Sequence, residues 1–130
     1  MLTRIGTTTV QVTDQDKALD YYTNKLGFKV RADMPMGPGQ RWLEVAPPNA
    51  HTRILLYKAT PQAPGAGSYD EAKAHIGKNT GIVMETDDIV KTFADFKAKG
   101  VKIIDPPKKQ PYGWWGTFAD QDGNIYGVHQ

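Results

Sequence analysis

The chain has 130 residues, 39% hydrophobic and 23% charged, a composition typical of one globular domain large enough for a core. Its net charge is only +2, so the chain lacks the basic face that nucleic-acid binding requires. No apolar run approaches the roughly 18 residues of a membrane span. The absence of cysteine excludes disulfides, thiolate catalysis and cysteine metal sites.

The first predicted module covers residues 1–58 and has the element order βαβββ. Its helix follows the first strand, is capped by Thr13 or Asp14, and ends at Gly27, which can adopt a left-handed conformation. Proline- and glycine-rich turns separate the later strands. The four strands are predicted at Ile5–Val12, Phe28–Asp33, Arg41–Ala46 and Thr52–Lys58.

A linker is predicted over residues 59–79, with a short helix from Ser68 to about His75. The second module, residues 80–130, repeats the βαβββ order. Its helix places Ile89, Phe93 and Phe96 on one apolar face and ends at Gly100. The remaining elements are strands Gly81–Thr86 and Val101–Ile104, a loop Asp105–Gly113, strands Trp114–Asp120 and Asn124–His129, and a turn at Asp122-Gly123.

The two modules are related by an internal repeat. One constant spacing separates three matched pairs: Asp14 and Asp87, Gly27 and Gly100, Trp42 and Trp115. A repeat of this length is a whole supersecondary unit. We therefore expect an α+β fold, in which two tandem βαβββ modules form a curled mixed sheet around a trough with the helices on the outer face.

Several short motifs in this order resemble the vicinal oxygen chelate superfamily, which includes glyoxalase I, bleomycin- and fosfomycin-resistance proteins and extradiol dioxygenases. The motifs are Val12-Thr13-Asp14, Tyr21-Tyr22, Leu26-Gly27-Phe28, Thr86-Asp87-Asp88 and Phe118-Ala119-Asp120-Gln121-Asp122-Gly123-Asn124. The resemblance covers nearly the whole chain. It implies one glyoxalase/bleomycin-resistance-like domain, and proteins of this kind are commonly homodimers, whose modules pair within a chain or by exchange.

The enzymes of this superfamily hold a divalent metal with His and Glu side chains on four strand positions. By the resemblance, those positions fall on Thr7, Leu55, Gly81 and Gly127 in this chain. Leucine and glycine side chains cannot ligate a metal, and a single threonine hydroxyl is a poor ligand. No cofactor is therefore expected, and a divalent metal would need other ligands.

Strand alternation predicts which side chains line the trough. Aromatic faces with a few polar groups are typical of small-molecule pockets. The predicted ligand contacts are Thr9, Gln11, Trp42, Arg53, Tyr57, Tyr112, Trp115 and His129. The two tryptophans could instead fill the trough as core. Arg53 could bind a ligand carboxylate or phosphate, pair with Glu44, or be an ordinary exposed residue.

Two carboxylates, Glu44 and Glu85, are the candidates for acid–base catalysis. Three functions stay open at this point. The first is a metal-free cytoplasmic protein that resembles bleomycin-resistance proteins and binds a drug or metabolite. The second is a metal-dependent lyase, isomerase or dioxygenase that uses non-standard ligands such as Glu44, Glu85 and His129. The third is metal-free catalysis by Glu44 or Glu85.

Overall fold

The computed structural model describes residues 1–65 and 67–130, which form two compact units, Met1–Ile76 and Gly77–Gln130. Part of the predicted linker, Ala66, lies outside the described residues. The rest of that segment belongs mainly to the first unit and carries the predicted helix. In the part of the chain described, no helix is long and apolar enough to cross a membrane.

Unit one contains a four-stranded mixed sheet, here called sheet one, with strand order β1-β4-β3-β2. Strand β1 pairs with β4 in parallel, and the other neighbours are antiparallel. The elements are β1 (Thr7–Gln11), α1 (Gln15–Asp20) continued by a π-helical turn (Tyr21–Lys25), β2 (Lys29–Pro35), β3 (Arg41–Ala46), β4 (Arg53–Tyr57) and α2 (Tyr69–His75).

Unit two contains sheet two, whose order β5-β8-β7-β6 and strand directions repeat those of sheet one. Its elements are β5 (Asn79–Glu85), α3 (Ile89–Ala98), β6 (Lys102–Gln110), β7 (Gly113–Ala119) and β8 (Ile125–His129). The predicted α+β class and the two βαβββ modules are therefore confirmed.

Local signals set the limits of helix α1. Asp14, not Thr13, is the N-cap, and its Oδ1 accepts from the Lys17 backbone N–H at 3.0 Å. Gly27 follows the helical segment with φ of 75°, as predicted. The π-helical turn was not predicted. A π turn advances each residue by a smaller angle than an α turn, which lets the successive residues Tyr21 and Tyr22 both be buried.

Helix α3 has the predicted apolar face. Ile89, Phe93 and Phe96 are buried, and the Phe96 ring lies 4.8 Å from that of Phe118 on β7. The Asp88 carboxylate caps the helix by accepting from the Lys91 backbone N–H at 3.0 Å. The contact between Phe96 and Phe118 determines which face of β7 is directed toward the core of unit two.

The predicted loop Asp105–Gly113 is wrong, because strand β6 continues to Gln110. The sequence Pro106-Pro107 suggested a break, since proline cannot donate to a sheet ladder. However, β6 is an edge strand, and its pairing with β7 jumps from Asp105 to Lys108, so neither proline occupies a ladder position. Strand β6 is therefore longer than predicted and pairs with β7 as far as Gln110, opposite Gly113.

An ion pair on sheet one predicts a specific acid sensitivity. Arg41 donates from Nε and Nη2 to the two carboxylate oxygens of Asp33, at 2.8 and 2.9 Å. The hydrogen bond from Arg41 holds the pKa of Asp33 below its ordinary value. The pKa of Asp33 is lower in the folded than in the unfolded protein. The stabilisation that the ion pair contributes is therefore complete above the unfolded pKa of about 3.9, and it is lost as the pH falls through the folded pKa.

We therefore expect Asp33→Asn to cost about 1 kcal/mol or less at neutral pH, since solvent screens this partly exposed pair. The variant should also lose less stability than the wild type as the pH falls below about 4. Thermal unfolding from pH 7 to pH 2.5 measures both effects. Asp70→Asn is the matched control, because Asp70 is 93% exposed and makes only a 3.7 Å contact with Lys73. Superimposable pH profiles for wild type and Asp33→Asn would contradict this account.

Candidate functional site

One face of sheet one collects the polar and aromatic side chains predicted for a binding site. In the strand register, Thr9 lies opposite Leu55, and Leu55 lies opposite Glu44 on β3. Directly paired residues project to the same side of a sheet. We call this surface face one; it comprises Thr7, Thr9, Gln11, Trp42, Glu44, Arg53, Leu55 and Tyr57.

Glu44 on face one is buried, and its charge is balanced within the chain. Its Oε2 lies 2.9 Å from Arg53 Nε and accepts a hydrogen bond of 3.1 Å from Thr7 Oγ1. The Nε–H is not aligned for a hydrogen bond, so the contact with Arg53 is an ion pair by distance. Of the alternatives for Arg53, the structure shows the pairing with Glu44. This contact accounts for the buried carboxylate as a structural group.

One end of face one is covered by the segment that follows β4. The Tyr57 hydroxyl donates to the Ala63 carbonyl at 2.9 Å, and a Cβ at Gly65 would lie 3.3 Å from the Tyr57 ring. Gln40 Nε2 also donates to Thr60 Oγ1 in this segment, at 3.2 Å. Tyr57 is only 8% exposed as a result. In this conformation its ring contacts the chain itself, while Thr9 is exposed and Trp42 half-buried.

Sheet two presents an equivalent surface, which we call face two. Glu85 lies opposite His129, and His129 lies opposite Trp115, so these three side chains form one row across β5, β8 and β7. A second row contains Val83, Gly127 and Thr117. The structure thus brings together three of the residues predicted for a site in this unit.

His129 is held in place at the edge of face two. Its Nε2 lies 3.0 Å from the Tyr112 carbonyl oxygen, and its ring stacks on the Tyr112 ring with centroids 6.5 Å apart. Tyr112 itself is 63% exposed in the turn between β6 and β7. A carbonyl oxygen only accepts, so this hydrogen bond forms in the tautomer that carries the proton on Nε2. In that tautomer Nδ1 is the nitrogen available to a ligand.

The indole of Trp115 rests against Gly127. A Cβ at position 127 would lie 2.6 Å from Trp115 Cζ2 and would also meet Cη2. No side chain other than hydrogen fits there unless the ring moves. Trp115 is half-buried in this position, so the exposed part of the indole forms a flat apolar area on face two beside His129. Trp114, the preceding residue, is directed to the opposite side of β7.

The four positions at which the superfamily's enzymes carry metal ligands do not fit a metal here. Thr7 bonds Glu44, Leu55 is buried, Gly81 has φ of 71° beside a register shift in β5, and Gly127 lies under Trp115. Across the described residues, no group of three or more His, Asp or Glu side chains is placed to hold a metal ion. Glu44 and Glu85 also belong to different units.

Comparison with known proteins identifies the family. The model of the Glyoxalase/Bleomycin resistance protein/Dioxygenase superfamily matches residues 4–126. The chain belongs to this superfamily. The protein YetH of Bacillus subtilis (strain 168) is 41% identical to this chain over 126 residues, which cover 97% of each chain.

Two solved structures are similar to the present chain over almost its whole length. TnmS3, an antibiotic-binding protein from Streptomyces sp. CB03234, has a TM-score of 0.80 and 35% identity, and the match covers 99% of this chain and 96% of TnmS3. A glyoxalase/bleomycin resistance protein/dioxygenase superfamily member from Sphaerobacter thermophilus has a TM-score of 0.85 and 32% identity, with 98% and 97% of the two chains covered.

Proposed function

We propose that this protein binds a small organic drug or metabolite that contains a planar aromatic group, and that it does so without a metal ion. The observation that carries the proposal is the Trp115 indole, which is half-buried and seated on Gly127 on face two. A rigid indole on a strand offers a stacking surface at low entropic cost. His129 and Glu85, in the same row, supply polar groups that can orient a ligand.

The comparisons support the same class of ligand. TnmS3 binds an antibiotic and is 35% identical to this chain. The residues at the superfamily's metal-ligand positions support a binder more than a metalloenzyme, because Leu55, Gly81 and Gly127 carry no side-chain donor atom. Bleomycin-resistance-type binding is therefore the function within this superfamily that these residues fit best.

A thermal-shift screen tests the proposal. The panel contains bleomycin, an anthracycline and other aromatic antibiotics, each measured with EDTA and with added Zn²⁺, Mg²⁺ or Mn²⁺. We expect at least one compound to raise Tm saturably in EDTA, because a ligand that binds only the folded state stabilises it by mass action. Trp115→Ala should remove this shift, whereas Trp114→Ala, which changes the opposite side of β7, should retain it. A shift of the same size in both variants would refute binding at Trp115.

The runner-up function is a metal-dependent lyase, isomerase or dioxygenase. The observation in its favour is that Glu85 and His129 are direct neighbours on β5 and β8. These two groups could ligate a divalent metal if a substrate or water supplied the remaining ligands. In the same screen, this function requires a Tm increase with metal alone that Glu85→Gln and His129→Gln each abolish.

We also propose that the protein is a homodimer. Large apolar side chains are exposed on three edge strands, Val30 on β2, Val83 on β5 and Ile104 on β6. Exposed apolar edges favour association with another chain. Light scattering should therefore give twice the 14.4 kDa chain mass at micromolar concentration. A mass of one chain across the concentration range would contradict the dimer.

A further inference from the structure

A cavity lies in unit one, between the ends of strands β1 and β4 and the helix α2. Its volume is ≈ 190 Å³. Drug-sized pockets occupy roughly 300–1,000 Å³, so this cavity suits a smaller molecule. We call this cavity the α2 pocket. Its lining residues are Gln11, Val12, Thr13, Lys58, Ala59, Tyr69, Ala72, Lys73 and Ile76.

The lining of the α2 pocket combines an apolar floor with positive charge. Val12 and Ala72 are buried, and Ile76 is half-buried beside them. Two lysines, Lys58 and Lys73, also line the pocket, and none of its described lining residues is acidic. An apolar floor with only cationic charge favours a molecule that has an apolar body and a negative group.

Neither lysine is neutralised by a strong partner. Among the described residues, Lys58 makes no salt bridge within 4.0 Å. Its charge acts on Asp14, whose pKa is lowered chiefly by the hydrogen bond from the Lys17 backbone N–H and only slightly by the charge of Lys58. Lys73 Nζ lies 3.7 Å from Asp70 Oδ1, but the Asp70 side chain is 93% exposed, and such a surface pair is weak. Lys73 Nζ also lies 4.5 Å from the centroid of the Tyr69 ring, which holds the ammonium over an aromatic face at the pocket.

We propose that the α2 pocket binds a small organic carboxylate with an apolar or aromatic body. The carboxylate accepts from the Lys58 and Lys73 ammonium groups, and the body contacts Val12, Ala72 and the Tyr69 ring. This site is separate from Trp115 and face two, because every residue that lines it belongs to unit one. It therefore does not depend on the function proposed above.

The test is a ¹H–¹⁵N NMR titration of the full chain with benzoate. Benzyl alcohol is the probe with the same body and no charge, and acetate is the probe with the charge and no ring. We expect benzoate to shift the amide signals of residues 11–13, 58–59 and 69–76 saturably. The two other probes should bind at least tenfold more weakly.

The lysines are tested by the double variant Lys58→Gln/Lys73→Gln, with Lys97→Gln/Lys102→Gln in unit two as the matched control. All four lysines are exposed, so both variants should keep the wild-type spectrum elsewhere. The first variant should lose at least tenfold in benzoate affinity, and the control should keep it. Equal affinities in the two variants, acetate or benzyl alcohol binding as tightly as benzoate, or no saturable shift at these residues would each overturn the proposal.

Discussion

Gly127→Ala is expected to displace the Trp115 indole and to lower the affinity for a ligand stacked on it by about tenfold. The new methyl group would lie 2.6 Å from Trp115 Cζ2, closer than two non-bonded carbon atoms can approach, so the rigid ring must swing away. An aromatic pair contributes about 0.5–1.5 kcal/mol beyond the area it buries, and 1.4 kcal/mol corresponds to a factor of ten in affinity.

Near-ultraviolet circular dichroism and tryptophan fluorescence report the position of the ring, and calorimetric titration with a compound from the antibiotic screen reports the affinity. Gly6→Ala is the matched control, because the nearest atom to a Cβ at that position is Arg53 Nη2, at 3.8 Å. If Gly127→Ala leaves both the spectra and the affinity at the wild-type values, the indole does not rest on Gly127 in solution.

Glu44→Ala is expected to destabilise unit one by about 2 kcal/mol. Removing one partner of a fully buried ion pair costs about 3–5 kcal/mol, and partial exposure of Arg53 reduces that cost. The Arg53 side chain is 35% exposed and that of Glu44 only 9%. The loss arises because the guanidinium keeps its charge while its partner, 2.9 Å away, is gone.

A double-mutant cycle isolates this interaction. The double variant Glu44→Leu/Arg53→Met replaces both charges by apolar groups, so it should be more stable than Glu44→Leu alone. Glu85→Ala is the control, since Glu85 is exposed and such changes cost within about 0.5 kcal/mol. Urea unfolding of the wild type, the two single variants Glu44→Leu and Arg53→Met, and the double variant gives the coupling energy. A coupling near zero would show that Glu44 and Arg53 are not paired in solution.

The order of elements could be predicted from the sequence because short-range chemistry determines most of it. Asp14 caps a helix, Gly27 ends the helical segment in a left-handed conformation, and Gly123 supplies the positive φ of the last turn. Each of these depends on neighbours within a few residues. The apolar spacing of helix α3 is local in the same sense.

Strand β6 could not be predicted because its prolines are tolerated only in a particular tertiary position. Pro106 and Pro107 favour a loop when they are considered alone. They are compatible with a strand here because β6 is at the edge of sheet two and its pairing shifts between Asp105 and Lys108. An edge position is a property of the assembled sheet.

The candidate site could be predicted only in outline. Strand alternation assigned Trp115 and His129 to one face, and the strand register agrees. The seat of the indole on Gly127 depends on how β7 aligns with β8, which a single sequence does not specify. The covering of Tyr57 likewise depends on a contact with Ala63, after the chain has turned back from β4.

The most direct test of metal-free binding on face two follows the indole N–H signals in ¹H–¹⁵N spectra. The chain has three tryptophans, so single substitutions can assign all three signals. With EDTA present, titration with the antibiotic that raises Tm should shift the Trp115 signal saturably, at the affinity found by calorimetry. A Trp115 signal that stays fixed at saturating ligand, or that moves only after a divalent metal is added, would contradict the account.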